Sequence, residues 1–92
     1  MVQFDLDFDW DDGNTAKCAK HGLTREEIEY ALTHGPMFDD DAAHSLTEER
    51  FIAVSRTAEG RSVYIAFCWR GGRIRPISAR YMHRKETLRY GH

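Results

Sequence analysis

The sequence predicts an α+β fold, a small antiparallel sheet with two helices before it and one helix after it. Three observations indicate this order: two capped helical segments come first, the chain from residue 50 onward alternates like successive strands, and a short basic helical segment ends it. A chain of 92 residues suffices for one sheet and two or three helices, so we expect a single domain over residues 1–92.

The chain opens with alternating apolar and acidic residues. Phe4, Leu6 and Phe8 are separated by aspartates, a period of two that is typical of a half-buried strand. A row of aspartates on the outer face discourages pairing with another chain, so we expect an edge strand, with Trp10 as an anchor behind it.

A short helix is predicted over residues 14–21. Asp11, Asp12 or Asn14 can supply its N-cap, because the side-chain oxygen of such residues accepts a bond from the first turn. Gly22 is predicted to end the helix in the left-handed conformation.

A second helix has clearer local signals. Thr24 and Glu27 form a capping box, and Leu23 can pack against Ile28 as a hydrophobic staple. The Gly-Pro pair at residues 35–36 is predicted to stop this helix.

Strands dominate the rest of the chain. Met37 and Phe38 are predicted to start a brief strand that the aspartates at 39–41 end, followed by a loop to about residue 47. Residues 51–57 and 63–69 are apolar enough for strands within a sheet. The remaining predicted elements are a turn at 58–61, a tight turn at 70–72, an arginine-rich strand after it and a final helix over 82–90.

The arginine-rich strand changes phase in its middle. Ile74 lies between polar neighbours, whereas from Ile77 onward the apolar residues fall at odd positions. Proline in a sheet is found at edges or bulges, so Pro76 predicts a bulge near residues 75–76.

This bulge would bring Arg75, Ser78 and Arg80 onto one face. Arginine is the side chain best shaped for phosphate, because its planar fork donates two bonds at once. The alternative is that these arginines form a solvated outer face and nothing more.

The net charge of −2 hides a strong division along the chain. Residues 1–49 hold 3 Lys or Arg against 13 Asp or Glu, and residues 50–92 hold 10 against 2. One surface can then meet a polyanion while the other meets a basic partner, or the two halves neutralise each other across the fold.

The sequence favours a cytoplasmic protein with no membrane contact. It lacks an apolar run of about 18 residues, and its acidic start lacks the basic and apolar regions of a signal peptide. Cys18 falls in a predicted helix and Cys68 in a predicted strand without metal-binding spacing, so neither a disulfide nor a zinc site is expected.

Two segments of the chain are specific enough to compare with known families, KHG at residues 20–22 and IRPISAR at residues 74–80. On these segments, the chain resembles the BrnT toxins of bacterial type II toxin-antitoxin systems, and the resemblance covers nearly its whole length. Further matching residues are Phe8, Trp10, Asp11, Gly13, Asn14, Lys17, Cys18, Glu27, Ile28, Glu29, Arg50, Phe51, Arg56, Gly60 and Arg61, and the run YMHRKE at 81–86.

This resemblance implies a RelE-like fold and an RNA-cleaving activity that stops translation. It also implies inhibition by a BrnA-type antitoxin that carries a ribbon-helix-helix DNA-binding domain, so that DNA is met only through the antitoxin.

RNA is cut without a metal when one group takes the 2′-hydroxyl proton, cations stabilise the phosphorane and an acid protonates the leaving oxygen. Arg56, Arg75 and Arg80 are predicted to grip the phosphate, and Ser78 can bond one of its oxygens. Lys20 and His21 are predicted to transfer protons, with His83 as the second choice. Predicted substrate-binding residues are Trp69, Arg73, Tyr81, His83 and Arg84.

Each role has a structural alternative. His21 can serve only the helix dipole, Lys20 can be solvated, and Ser78 can pair locally. Trp69 and Tyr81 can stack on bases or fill the core.

Metal binding is not predicted, and no cofactor is expected. The ligand-type residues His34, Asp39, Asp40, Asp41 and His44 fall in a region that reads as an acidic loop, which is usually solvated.

Two other functions stay open. The chain can be a non-catalytic binding module that complexes a DNA-binding partner and modulates transcription of its own operon. The arginine strand can alternatively serve only to receive an antitoxin peptide.

Overall fold

The computed structural model describes residues 7–40 and 49–90. Within these ranges it has three helices and four strands, and the strands form one antiparallel sheet in the order β1-β2-β3-β4. The predicted α+β fold, with two N-terminal helices and one C-terminal helix, is confirmed. The elements are α1 (Asp12–Ala19), α2 (Arg25–Thr33), β1 (Met37–Asp40), β2 (Arg50–Arg56), β3 (Ser62–Arg70), β4 (Arg73–Tyr81) and α3 (Arg84–Tyr90).

Helix α1 begins earlier than predicted because Asp11 is its N-cap. The backbone N–H of Asn14 donates to Asp11 Oδ1 at 2.9 Å, and the Asp11 N–H donates to Asn14 Oδ1 at 2.7 Å. This reciprocal pair satisfies two backbone donors and starts the helix at Asp12. The predicted left-handed turn at Gly22 is confirmed by a φ of +87°.

Helix α2 has the predicted capping box. Thr24 Oγ1 accepts from the Glu27 N–H at 3.1 Å, and Glu27 Oε1 accepts from the Thr24 N–H at 3.0 Å. Leu23 and Ile28, the two residues of the predicted staple, are both buried in the core.

Strand β1 is longer than predicted and continues through two aspartates. Asp39 pairs with Ile52 and Asp40 with Phe51, so pairing with β2 overrides the low strand propensity of aspartate. The predicted loop that follows lies outside the described residues.

The N-terminal segment adds to the other edge of the sheet. The Asp9 N–H donates to Ile74 O at 2.8 Å, and the Ile74 N–H donates to Asp7 O at 2.9 Å, which makes a parallel bridge to β4 at Phe8. Phe4 and Leu6 of the predicted strand lie outside the described residues.

Helices α1 and α2 cover one face of the sheet. Ser55 of β2 donates to Ala31 O of α2 at 2.7 Å, which satisfies a buried hydroxyl and joins these layers. The buried core consists of Cys18, Leu23, Ile28, Ala31, Leu32, Ala53, Val63, Ile65, Phe67, Ile74 and Ala79.

Helix α3 begins at Arg84 and not at residue 82, because the Met82 N–H donates to Ser62 O at 2.9 Å and so extends the ladder. Cys18 lies in α1 and Cys68 in β3, which confirms their predicted placement in a helix and a strand, and both thiols are buried. No helix within the described ranges combines the length and apolar character needed to cross a membrane.

Candidate active site

Strand β4 shifts register by one residue in its middle. Pro76 pairs with Phe67 and Ser78 pairs with Ala66, so Ile77 has no partner across the ladder. The predicted bulge therefore lies next to Pro76. It reverses the phase of the strand, as the sequence alternation indicated.

The bulge places three predicted site residues on the sheet face that points away from the core. Ile74 and Ala79 point into the core, so Arg75, Ser78 and Arg80 point the other way. Their partners across the ladder are Cys68, Ala66 and Tyr64, respectively.

Arginines of β2 and β3 belong to the same face. Arg56 pairs with Ser62, Arg50 pairs with Cys68, and Arg70 pairs with Arg73. We name this surface the arginine face. It comprises Arg50, Arg56, Arg70, Arg73, Arg75 and Arg80, with Ser78 among them.

Arg75 is already bound to two carboxylates. Its Nη2 lies 2.8 Å from Asp11 Oδ2, and its Nη1 lies 3.5 Å from Asp9 Oδ2. The Asp11 carboxylate accepts bonds from the Asn14 backbone N–H and from Arg75. These two bonds, the first more than the second, hold the pKa of Asp11 below its ordinary value.

Asn14 fixes this contact by joining α1 to the bulge. It is buried, and its Nδ2 donates to Asp9 O at 2.9 Å and to Pro76 O at 2.8 Å. A cavity of about 540 Å³ lies beside it, lined among others by Lys17, Arg75 and Ile77. Arg80 is not among the residues that line this cavity.

Arg80 forms a bidentate ion pair with Glu86 of α3. Its Nη1 and Nη2 donate to Glu86 Oε1 and Oε2 at 2.6 and 2.7 Å, and the guanidinium lies 4.7 Å from the ring centroid of Tyr64. The Arg80 bonds, with a further bond from the His83 N–H, lower the pKa of Glu86 to about 2.

Lys20 and His21 do not join the arginine face. Both are exposed and follow α1, which packs on the opposite side of the sheet. Their neighbour Gly22 faces the side chain of Tyr81. The Arg61 guanidinium lies 3.6 Å from the centroid of the Tyr81 ring, and the Tyr81 hydroxyl donates to Glu27 Oε2 at 3.3 Å. Burial, reinforced by the Glu27 charge, raises the pKa of Tyr81.

The other predicted binding residues lie nearer the surface. Trp69 pairs with Ile74, so its side chain is on the sheet face that carries the core. It is 50% exposed, so half of its surface is not used in core packing. Arg73 is exposed at the β3–β4 turn, and His83 and Arg84 are exposed at the start of α3.

Within the ranges that the structure describes, no three His, Cys, Asp or Glu side chains are grouped to hold a metal ion. His34, Asp39 and Asp40 fall in these ranges. Asp41 and His44 lie outside them.

Sequence reasoning missed two residues that organise this site. Glu86 stands three positions after His83, which is the spacing of a capping box and could have indicated that its carboxylate turns back toward β4. Asn14 is predicted as a candidate cap and as a match to the BrnT toxins, but no local pattern indicates its bond to Pro76.

The structure thus belongs to the class of small α+β proteins with arginines from three neighbouring strands on one sheet face, and guanidinium groups have a shape that matches phosphate. The family model described as ribonuclease toxin, BrnT, of type II toxin-antitoxin system matches residues 10–86. The chain therefore belongs to the BrnT family of ribonuclease toxins, whose substrate is RNA and whose partner is an antitoxin. No curated protein matches the chain.

Proposed function

We propose that this protein is a metal-independent endoribonuclease that cuts single-stranded RNA in the cytoplasm and thereby stops translation. A BrnA-type antitoxin with a ribbon-helix-helix domain neutralises it and supplies the only link to DNA. The observation that carries the proposal is the arginine face, where Arg56, Arg75 and Arg80 share one side of the sheet with Ser78.

In this proposal the arginines bind the scissile phosphate and stabilise its additional negative charge in the transition state. A fixed guanidinium supplies this stabilisation without reorganisation during the reaction. Ser78 donates a hydrogen bond to a phosphate oxygen.

Proton transfer is assigned first to His83. Its backbone N–H bonds the Glu86 carboxylate that holds Arg80, so it belongs to the side of the sheet where the phosphate binds. Lys20 and His21 are the alternatives, and they act only if RNA reaches around the β4 edge. Alanine variants at His83 and His21 separate these assignments by which one loses cleavage.

The central test is cleavage of single-stranded RNA by the purified protein in EDTA. We expect wild type to cut, and Arg80→Ala to lower the rate by about 100-fold or more, as for the loss of a transition-state donor. Arg25→Ala is the matched control. Arg25 is an exposed arginine on α2 that bonds Thr15 at 2.9 Å, and its loss leaves the arginine face intact.

Equal rates for Arg80→Ala and wild type, with both proteins folded, would refute the site. Wild-type cleavage that stops in EDTA and returns with added Mg²⁺ would refute metal independence alone.

A non-catalytic binding module is the second candidate. It is favoured by the carboxylates that already hold Arg75 and Arg80, which leave both guanidinium groups engaged within the chain. A protein that binds RNA or its antitoxin and never cuts RNA would fit this candidate.

A further inference from the structure

The Glu86 carboxylate occupies an anion position made by three donors. Two are the Nη atoms of Arg80 at 2.6 and 2.7 Å, and the third is the His83 backbone N–H at 3.0 Å. A guanidinium fork grips a carboxylate and a phosphate in the same side-on geometry. Glu86 therefore stands where a phosphate group would bind Arg80.

The Arg80 guanidinium has contacts in addition to the Glu86 carboxylate. The Arg80 guanidinium lies 4.7 Å from the centroid of the Tyr64 ring, its direct neighbour across the β3–β4 ladder. Arg80 Nη1 also donates to the Tyr81 carbonyl oxygen at 3.5 Å. Neither of these two contacts involves Glu86, so both can hold the guanidinium in place when Glu86 leaves.

Helix α3, which carries Glu86, is short, and none of its described side chains is fully buried. It spans only seven residues, a length that is unstable as an isolated helix, and its one leucine, Leu88, is 75% exposed. The Arg80–Glu86 ion pair joins this helix directly to β4.

We propose that α3 is a displaceable strap, in which Glu86 fills the phosphate site of Arg80 in the free protein and an RNA phosphate takes its place on binding. The identity of the displacing anion rests on the proposed function. Because the pKa of Glu86 is about 2, its carboxylate is charged at neutral pH, and it leaves by competition with another anion rather than by protonation.

The test measures binding of a fluorescent 2′-O-methyl RNA oligonucleotide to the full chain by anisotropy. Such an oligonucleotide has no free 2′-hydroxyl and stays intact, so the readout is independent of cleavage. We expect Glu86→Gln to bind the oligonucleotide about tenfold more tightly than wild type, because no carboxylate then competes with the RNA phosphate for Arg80.

Glu26→Gln is the charge-matched control, since Glu26 is an exposed residue in the first turn of α2. We expect its affinity to stay within about twofold of wild type, because surface charges far from the site are screened. An equal gain in both variants would show a general charge effect and overturn the strap.

A double-mutant cycle makes the result specific to Arg80. The gain from Glu86→Gln should disappear in an Arg80→Gln background, where the fork is absent. A gain that persists there, or a Glu86→Gln variant that is folded by circular dichroism and binds no more tightly than wild type, overturns the strap. The proposed function is tested separately, by whether wild type cleaves ordinary RNA. Cleavage supports that function whatever the binding result, and a lack of cleavage would refute it and leave the binding result unchanged.

Discussion

At the scale of single residues, two polar side chains connect different elements of the fold. Asn14 uses both amide hydrogens and its carbonyl oxygen to join the N-terminal segment, α1 and the β4 bulge. Glu86 joins α3 to Arg80 of β4. Asn14 gives the Pro76 carbonyl a side-chain donor, and Glu86 gives Arg80 a counter-charge.

Replacement of Asn14 by alanine should destabilise the fold by about 2 kcal/mol, because the buried Pro76 carbonyl loses its side-chain donor and α1 loses its capping box. Urea unfolding followed by circular dichroism measures this. Lys17→Ala is the control on the same helix. Lys17 is exposed, and its loss should change the free energy of unfolding by less than about 0.5 kcal/mol. Equal stabilities for the two variants would contradict the role given to Asn14.

The Glu86 carboxyl predicts a specific dependence of stability on pH. Its pKa is 4.5 in a model compound and about 2 in the folded protein, where Arg80 and then the His83 N–H bond it. The unfolded chain therefore binds this proton more readily, so the stabilisation is complete above about pH 4.5 and is lost as pH falls toward 2.

The measurement is the difference in unfolding free energy between wild type and Glu86→Gln from pH 3 to pH 6. We expect this difference to rise with pH up to about 4.5 and then to stay constant. A difference that does not vary with pH in this window would contradict the ion pair.

At the scale of elements, local signals determine where the helices begin. Both α1 and α2 start at reciprocal caps, one from Asp11 with Asn14 and one from Thr24 with Glu27. The strands differ in this respect. β1 continues through two aspartates only because β2 pairs with them.

The capping box of α2 can be tested by Thr24→Ala, which removes the oxygen that accepts from the Glu27 N–H. We expect a loss of about 1 kcal/mol in the free energy of unfolding. Thr24→Ser keeps that oxygen and should stay within a few tenths of a kcal/mol of wild type. A loss of the same size in both variants would assign the effect to the methyl group instead.

At the scale of the whole molecule, the acidic half of the chain meets the basic half in a cluster of ion pairs at Arg75. Asp9 and Asp11 neutralise Arg75 where the N-terminal segment meets β4. Arg56 and Arg73 are exposed on the arginine face. The surface can therefore attract RNA despite a net charge of −2.

RNA binding should weaken steeply as salt rises, because each phosphate contact releases a counterion. We expect Arg56→Gln to reduce the slope of log affinity against log salt by about 0.7, the value for one contact to a single strand. Anisotropy titrations with the uncleavable oligonucleotide between 50 and 200 mM salt, the range over which such slopes are defined, provide the measurement. Arg25→Gln, on the helical side, should leave the slope unchanged, and a loss of slope there would place the RNA elsewhere.

The sequence by itself determined the α+β order, the capping box of α2, the bulge beside Pro76 and the common face of Arg75, Ser78 and Arg80. These features depend on short-range rules, because a capping box joins residues three positions apart and a strand alternates with a period of two. Its resemblance to the BrnT toxins also rests on local segments, and the match over residues 10–86 confirms it.

Only the tertiary structure decided which groups meet. In the structure, Lys20 and His21 lie on the other side of the sheet from Arg80. Arg80 pairs with Glu86, and Arg75 pairs with Asp11. Asp11 and Arg75, for example, are 64 residues apart, and no periodicity within a segment encodes their contact. Such contacts follow from the register of the strands and from where the buried Asn14 fixes α1, which are properties of the packed molecule.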